Sequence, residues 1–196
     1  MCHDSGEPAR RAPRIRRSGA GVRERETRAV SPPPGLELVD RRTLHLGDGS
    51  YHWVKVKTFR LTDPADDASV LQTLIEDPRY GDHYATDEAH TTFGLDIHGP
   101  YRRDCVTTDK FLPITRRSAK ELVGGYVDRY EIPAETRPIL ERFVVQPIGE
   151  STSLYELPDL GKEAHHDWGW VLDDFRELVI LQRDSETLRL VVLAGD

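Results

Sequence analysis

The sequence predicts an α+β fold: a mostly antiparallel sheet with N-terminal and C-terminal β-hairpins, packed against about three helices. Two observations carry this. Alternating or continuous apolar runs flank turn residues at both ends of residues 36–196, in "LELVDRRTLHLGDGSYHWVKVKTFRL" and "ELVILQRDSETLRLVVLAGD". Between them lie segments whose apolar residues recur at helical spacing.

The first 35 residues stand apart. They hold eight arginines (Arg10, Arg11, Arg14, Arg16, Arg17, Arg23, Arg25 and Arg28) against four acids, end in "SPPPG" and have almost no aliphatic residues. Such a stretch has too little apolar surface to offset the entropy of ordering, so a disordered Arg/Pro-rich tail is expected over 1–35, with a single α+β domain over 36–196. Met1 is the only methionine and arginine outnumbers lysine 22 to 5, which makes a valine codon at Val22 or Val30 an alternative start.

In the folded part, Thr43 to Leu46 are expected to pair with Tyr51 to Leu61 across "GDGS". Trp53 and Lys55 would then share one face, and His52, Val54 and Val56 the other. "DPADDASVLQTLIEDP" reads as a short helix with an acidic start and an apolar stripe of Val70, Leu71, Leu74 and Ile75. In the irregular stretch from Arg79 to Pro113, Phe93 to Ile97 could pair with Arg103 to Thr107 across "HGPY". Ser118 and Glu121 match a capping box for a helix whose stripe is Leu122, Val123, Tyr126, Val127 and Tyr130. Gly124 and Gly125 would weaken it, which suggests a close backbone contact there. A second helix starts near Thr136 and is expected to stop before Pro147. The nearly unbroken apolar runs around "RDSET" indicate interior strands of a sheet covered on both faces, by the helices or by a second copy of the chain.

Composition bounds function. With 37% hydrophobic and 31% charged residues, the chain can bury a substantial core. The tail is net +4 and the rest net −11, so nucleic-acid binding by the folded part is not expected. No segment approaches the roughly 18 apolar residues of a membrane helix, and two cysteines make no disulfide framework. A soluble, cytoplasmic protein without membrane association is the expectation.

The octet "EAHHDWGW", residues 163–170, is the densest chemistry. Read as a strand, it sends His166, Trp168 and Trp170 to a core face and His165 and Asp167 to the other, so that the two imidazoles point apart. His165 and Asp167 resemble the His-x-Asp half of an iron-binding triad, but no histidine follows His166; His83, His90 or His98 would have to complete it. No metal and no cofactor is expected. A second constellation is His90, Asp96, His98 and Cys105, with Cys105 as a thiolate nucleophile, a histidine as base and Asp96 or Asp104 as orienter, set against Cys105 as a small buried apolar group. Arg102 and Arg103 form a candidate anion clamp. Two functional classes follow. The favoured one is a non-catalytic protein-interaction or regulatory domain whose acidic surface binds a protein, a basic one or a second copy in a homodimer. The alternative is a small hydrolase or metal-dependent enzyme whose candidate catalytic residues are His90, His98, Cys105, His165 and Asp167.

Overall fold

The computed structural model describes residues 35–47, 51–63, 65–84, 96–130 and 132–195. Its centre is a six-stranded sheet in the order β1-β2-β8-β7-β6-β5, every neighbouring pair antiparallel. The strands are β1 (Leu36–Leu46), β2 (His52–Leu61), β5 (Leu112–Pro113), β6 (Ser153–Leu157), β7 (Asp174–Gln182) and β8 (Thr187–Gly195). A second, two-stranded ribbon, β3 (Ile97–His98) with β4 (Tyr101–Arg102), lies outside this sheet. The hairpins foreseen at both ends are β1-β2 and β7-β8, and β2 pairs with β8 to join them. The first is longer than its sequence pattern suggested: β1 pairs from Leu36 rather than from Thr43, through a bulge between Leu38 and Asp40.

Alternation along the central strands separates two cores. Val54, Val56, Leu178, Ile180, Val191 and Leu193 face one way and are covered by helical residues such as Val123, Tyr126, Val144 and Ile148. Phe59, Val179, Leu181, Leu190 and Val192 face the other way, under Leu71 and Leu74 of α1 (Asp67–Glu76), Tyr101 of β4 and loop residues including Tyr80 and Leu172. Cover on both faces is why the C-terminal strands lack polar alternation. Asp66 caps α1 by accepting from the Ser69 amide at 2.9 Å. All four residues of its expected stripe are buried.

Four local expectations are corrected. Helix α2 (Arg116–Val127) is capped by Thr115, which accepts from the Ser118 amide, while Glu121 instead pairs with Arg117 one turn back. Gly124 and Gly125 make no close contact: a Cβ at either would meet nothing within 4 Å. The next helical stretch does not stop before Pro147. It runs through α3 (Thr136–Leu140), a π-turn over Glu141–Val145 and α4 (Gln146–Glu150). In the π-turn the Gln146 amide donates to Glu141, five residues back; that wider turn accommodates the proline that follows, which has no N–H to place and would crowd a regular turn. The ribbon foreseen around "HGPY" is confined to β3 and β4, since Arg103–Cys105 form a 3-10 turn; Phe93 to Leu95 lie outside the described residues.

Because both glycines sit in a helix with open space at their Cβ positions, Gly124→Ala and Gly125→Ala should each raise stability by about 0.5–1 kcal/mol. Urea denaturation would show this as a higher midpoint at unchanged slope; a loss of stability would mean that the glycines serve packing after all.

Candidate functional site

The cleft of interest is built on a buried layer of charge. Lys55 and Lys57 project from β2 onto the α1 face, where both are 1% exposed. In the sheet register Lys55 lies opposite Val192, and Val192 opposite Glu177, so the lysine and the acid occupy one row across three strands. Asp82 enters from the loop above, its carboxylate 2.9 Å from Lys57 Nζ and 3.8 Å from Lys55 Nζ, and Lys57 also donates to the Arg79 carbonyl at 2.8 Å. Glu177 accepts from the Tyr80 hydroxyl at 2.9 Å and is bonded through its other oxygen to His98 Nε2. His98 Nδ1 lies 2.9 Å from the Tyr80 carbonyl, which can only accept, so Nδ1 carries hydrogen. The Nε2-carboxylate contact therefore holds a second proton, shared by imidazole and acid. Tyr80 stacks on His98 with ring centroids 3.7 Å apart.

This layer fixes the loop above it. The Asp82 side chain accepts from the Tyr84 amide at 3.0 Å and its carbonyl from the Gly99 amide at 2.8 Å. Tyr84 is held at φ 58, a left-handed conformation that a bulky residue adopts only when its surroundings impose it. Gly99, at φ 53, lies so close to Phe175 that any Cβ would overlap the ring. Arg103 turns away to the C-terminal end of α1, donating to the Ile75 and Asp77 carbonyls.

On this platform sits the octet, and its strand expectation is corrected. Only His165 makes a β-bridge, to Tyr101; Lys162–Ala164 and Gly169–Val171 are 3-10 turns around it. Local bonds from the His165 amide to Lys162, from Gly169 to His166 and from Val171 to Trp168 satisfy donors that a strand would direct at a neighbour. Gly169 packs directly on the Pro100 carbonyl, where a Cβ cannot fit. The indoles are therefore not in the core: Trp168 is 69% and Trp170 66% exposed, with ring centroids 6.2 Å apart. The two imidazoles, expected to diverge, line the same cleft.

That cleft holds about 660 Å³. Ile97, Val171, Leu172 and Trp168 give it apolar walls, and His83, Asp96, Arg102, His165, His166 and Asp167 its polar groups. His166 is fully engaged: Nε2 lies 3.0 Å from the Gly99 carbonyl and Nδ1 accepts from the Trp168 amide at 3.2 Å, which defines a neutral ring. Arg102 is also engaged, donating to the His165 and Glu163 carbonyls and to Cys105 Sγ, with Asp104 3.7 Å away. Burial pushes the His83 imidazole below its usual range and outweighs the opposing pull of Asp82. The Asp96 and Asp167 carboxylates have no hydrogen-bond or ion-pair partner among the described residues.

The structure thus brings His165 and Asp167 together with Arg102, with Asp96 of the second constellation and with His83, which was foreseen only as a spare ligand. It separates the others. His98 lies beneath the cleft floor, wholly buried. Cys105 is half-buried against the α1-side core, with Arg102 as its closest polar contact. Arg102 and Arg103 serve different carbonyls rather than one clamp. His90 lies outside the described residues. Among the described residues no group of three or more His, Cys, Asp or Glu side chains is placed to hold a metal ion. Lys55, Lys57, Asp82 and Glu177 were missed; the available signal was two lysines alternating with valines in "WVKVKTF", which reads equally as a wet strand face.

Desolvation, with Lys55 adding repulsion, lowers the Lys57 ammonium to about 8 despite Asp82 beside it. Between that value and the 10.5 of an unfolded lysine, the unfolded chain keeps a proton that the folded one has lost. Raising pH through this window therefore favours the fold, and below about 8 the penalty is present in full. Stability should rise by on the order of 2 kcal/mol from pH 8 to 10, and Lys57→Met should flatten that rise in chemical denaturation. An unchanged slope in the variant would mean that Lys57 is not the group responsible. Compared with protein-family models, curated proteins and solved structures, the chain matches none.

Proposed function

We propose that this protein is a non-catalytic interaction domain that docks a partner protein on the Ile97-Leu172 cleft, with Trp168 and Trp170 as anchors. The observation that carries the reading is a pair of neighbouring exposed indoles, of which Trp168 lines the apolar hollow. Single exposed apolar residues are ordinary, but adjacent tryptophans beside a cleft combine large contact area with little side-chain entropy to lose. Their loop is closed by backbone bonds and pinned through Arg102, so the surface is pre-organised. The tie extends to Tyr101, whose hydroxyl donates to Asp159 and accepts from the Leu160 amide.

Binding is favoured over the hydrolase alternative by how the polar groups are used. The His166 ring holds the loop instead of facing a reactant, and Arg102 is committed to carbonyls. No described helix is long and apolar enough to cross a membrane. A reducing, cytoplasmic setting suits the free thiol of Cys105. The acidity of residues 36–196 favours a basic partner over a second copy, because like-charged surfaces repel.

Selection of a random peptide display library on the full chain, with counter-selection on Trp168→Ala/Trp170→Ala, tests this. Enriched peptides should bind the wild type, perturb its tryptophan fluorescence and lose about tenfold or more in affinity on either single variant. Failure to enrich anything over the counter-selected variant would overturn the reading.

A further inference from the structure

Resting on the interaction reading above, we propose that the cleft recognises a cationic side chain of the partner, an arginine guanidinium lying against Trp168 between the Asp96 and Asp167 carboxylates. The argument is a census of what the cleft still has to offer. Of its polar groups, His166 is neutral with both ring nitrogens bonded, and the His165 ring packs against Tyr101 with centroids 5.6 Å apart. Arg102 donates to three loop acceptors and has Asp104 beside it. Burial holds His83 toward its neutral form. Two exposed carboxylates remain without partners among the described residues: Asp96, immediately before β3, and Asp167, in the octet turn, both lining the cleft. Of the residues that line the hollow, Asp96 and Asp167 are the acids and Arg102, which has Asp104 beside it, the one fixed cation.

An aromatic face beside unpaired carboxylates is the chemistry of organic-cation recognition. Tryptophan is the best cation-π partner, and the indole of Trp168 is open to solvent rather than covered by the fold. Guanidinium suits the site better than ammonium: it is planar, stacks on an indole, is weakly hydrated and bonds carboxylates through a fork of N–H groups. Its aliphatic stem would lie along Ile97 and Leu172. An anion, by contrast, would meet two carboxylates, and Arg102, the one fixed cation among the described lining residues, is already engaged. A cleft of about 660 Å³ also leaves room for the residues flanking the arginine.

The test uses three probes on the full chain: acetyl-Ala-Arg-Ala-amide, its citrulline counterpart, which is nearly isosteric but uncharged, and free L-arginine. Binding is read from the indole N–H signals of Trp168 and Trp170 in two-dimensional NMR spectra. The arginine peptide should shift both signals saturably, and the citrulline peptide should bind about tenfold or more weakly. Asp96→Asn/Asp167→Asn should remove that difference, and added salt should weaken the arginine peptide alone. Both substitutions fall on exposed side chains, so an unaltered spectrum elsewhere verifies the fold. Equal binding of citrulline and arginine peptides, or an unchanged affinity in the double variant, overturns the inference. Tighter binding of free L-arginine than of the peptide overturns its assignment to a protein partner. If library peptides bind through the tryptophans without basic residues, this inference falls while the interaction reading stands; if neither library nor arginine peptide binds, both fall.

Discussion

Lys55 and Lys57 bring two ammonium groups into the dry interior on one face of the sheet, and the segment above that face is arranged to answer them. An isolated buried charge is costly enough that the chain must supply partners or lose the proton. Asp82 and Glu177 supply two carboxylates, and His98 shares a proton with Glu177. Burial, with Lys55 adding repulsion, outweighs the pull of Asp82 and Glu177 and is what makes Lys57 give up its proton easily. A layer of this kind is weak as a source of stability but strict about geometry: Asp82 and His98 must both be seated correctly, or charge is left uncompensated.

The cleft inherits its shape from this constraint. His98 is flanked in sequence by Ile97 and Gly99, so the group that completes the buried layer also positions the cleft floor. Gly99 packs on Phe175 of β7 and offers its carbonyl to His166, and Pro100 accepts from the His166 amide. The exposed tryptophans are thereby tied, through two glycine contacts and a few backbone bonds, to a layer inside the protein. Of the three histidines that line the hollow, His166 holds the loop through both ring nitrogens, and Trp168, Asp96 and Asp167 are exposed beside it.

Much of the architecture was legible in the sequence because it rests on periodicity. The two hairpins, α1 with its stripe, and the doubly covered C-terminal strands follow from spacings of 2 and 3.6, which act locally. Errors arose where a residue's meaning depended on distant neighbours. The "HDWGW" alternation has the period of a strand, yet Gly169 had to approach Pro100, nearly 70 positions earlier, and local turns closed the backbone instead. Pro147 reads as a stop, but a widened turn carried the helix through. Gly124 and Gly125 resemble a packing contact, and nothing packs there.

By itself the sequence determined the antiparallel α+β framework, the acidity of the folded part and the identity of the octet as the densest chemistry. Only tertiary structure decided which way that chemistry points. Burial of a lysine, exposure of a tryptophan and engagement of a histidine are set by what lies across the sheet or across a loop. Such contacts join β2 to β7 and the octet to the Gly99 turn over separations of more than 60 residues, beyond the range in which spacing along the chain carries information.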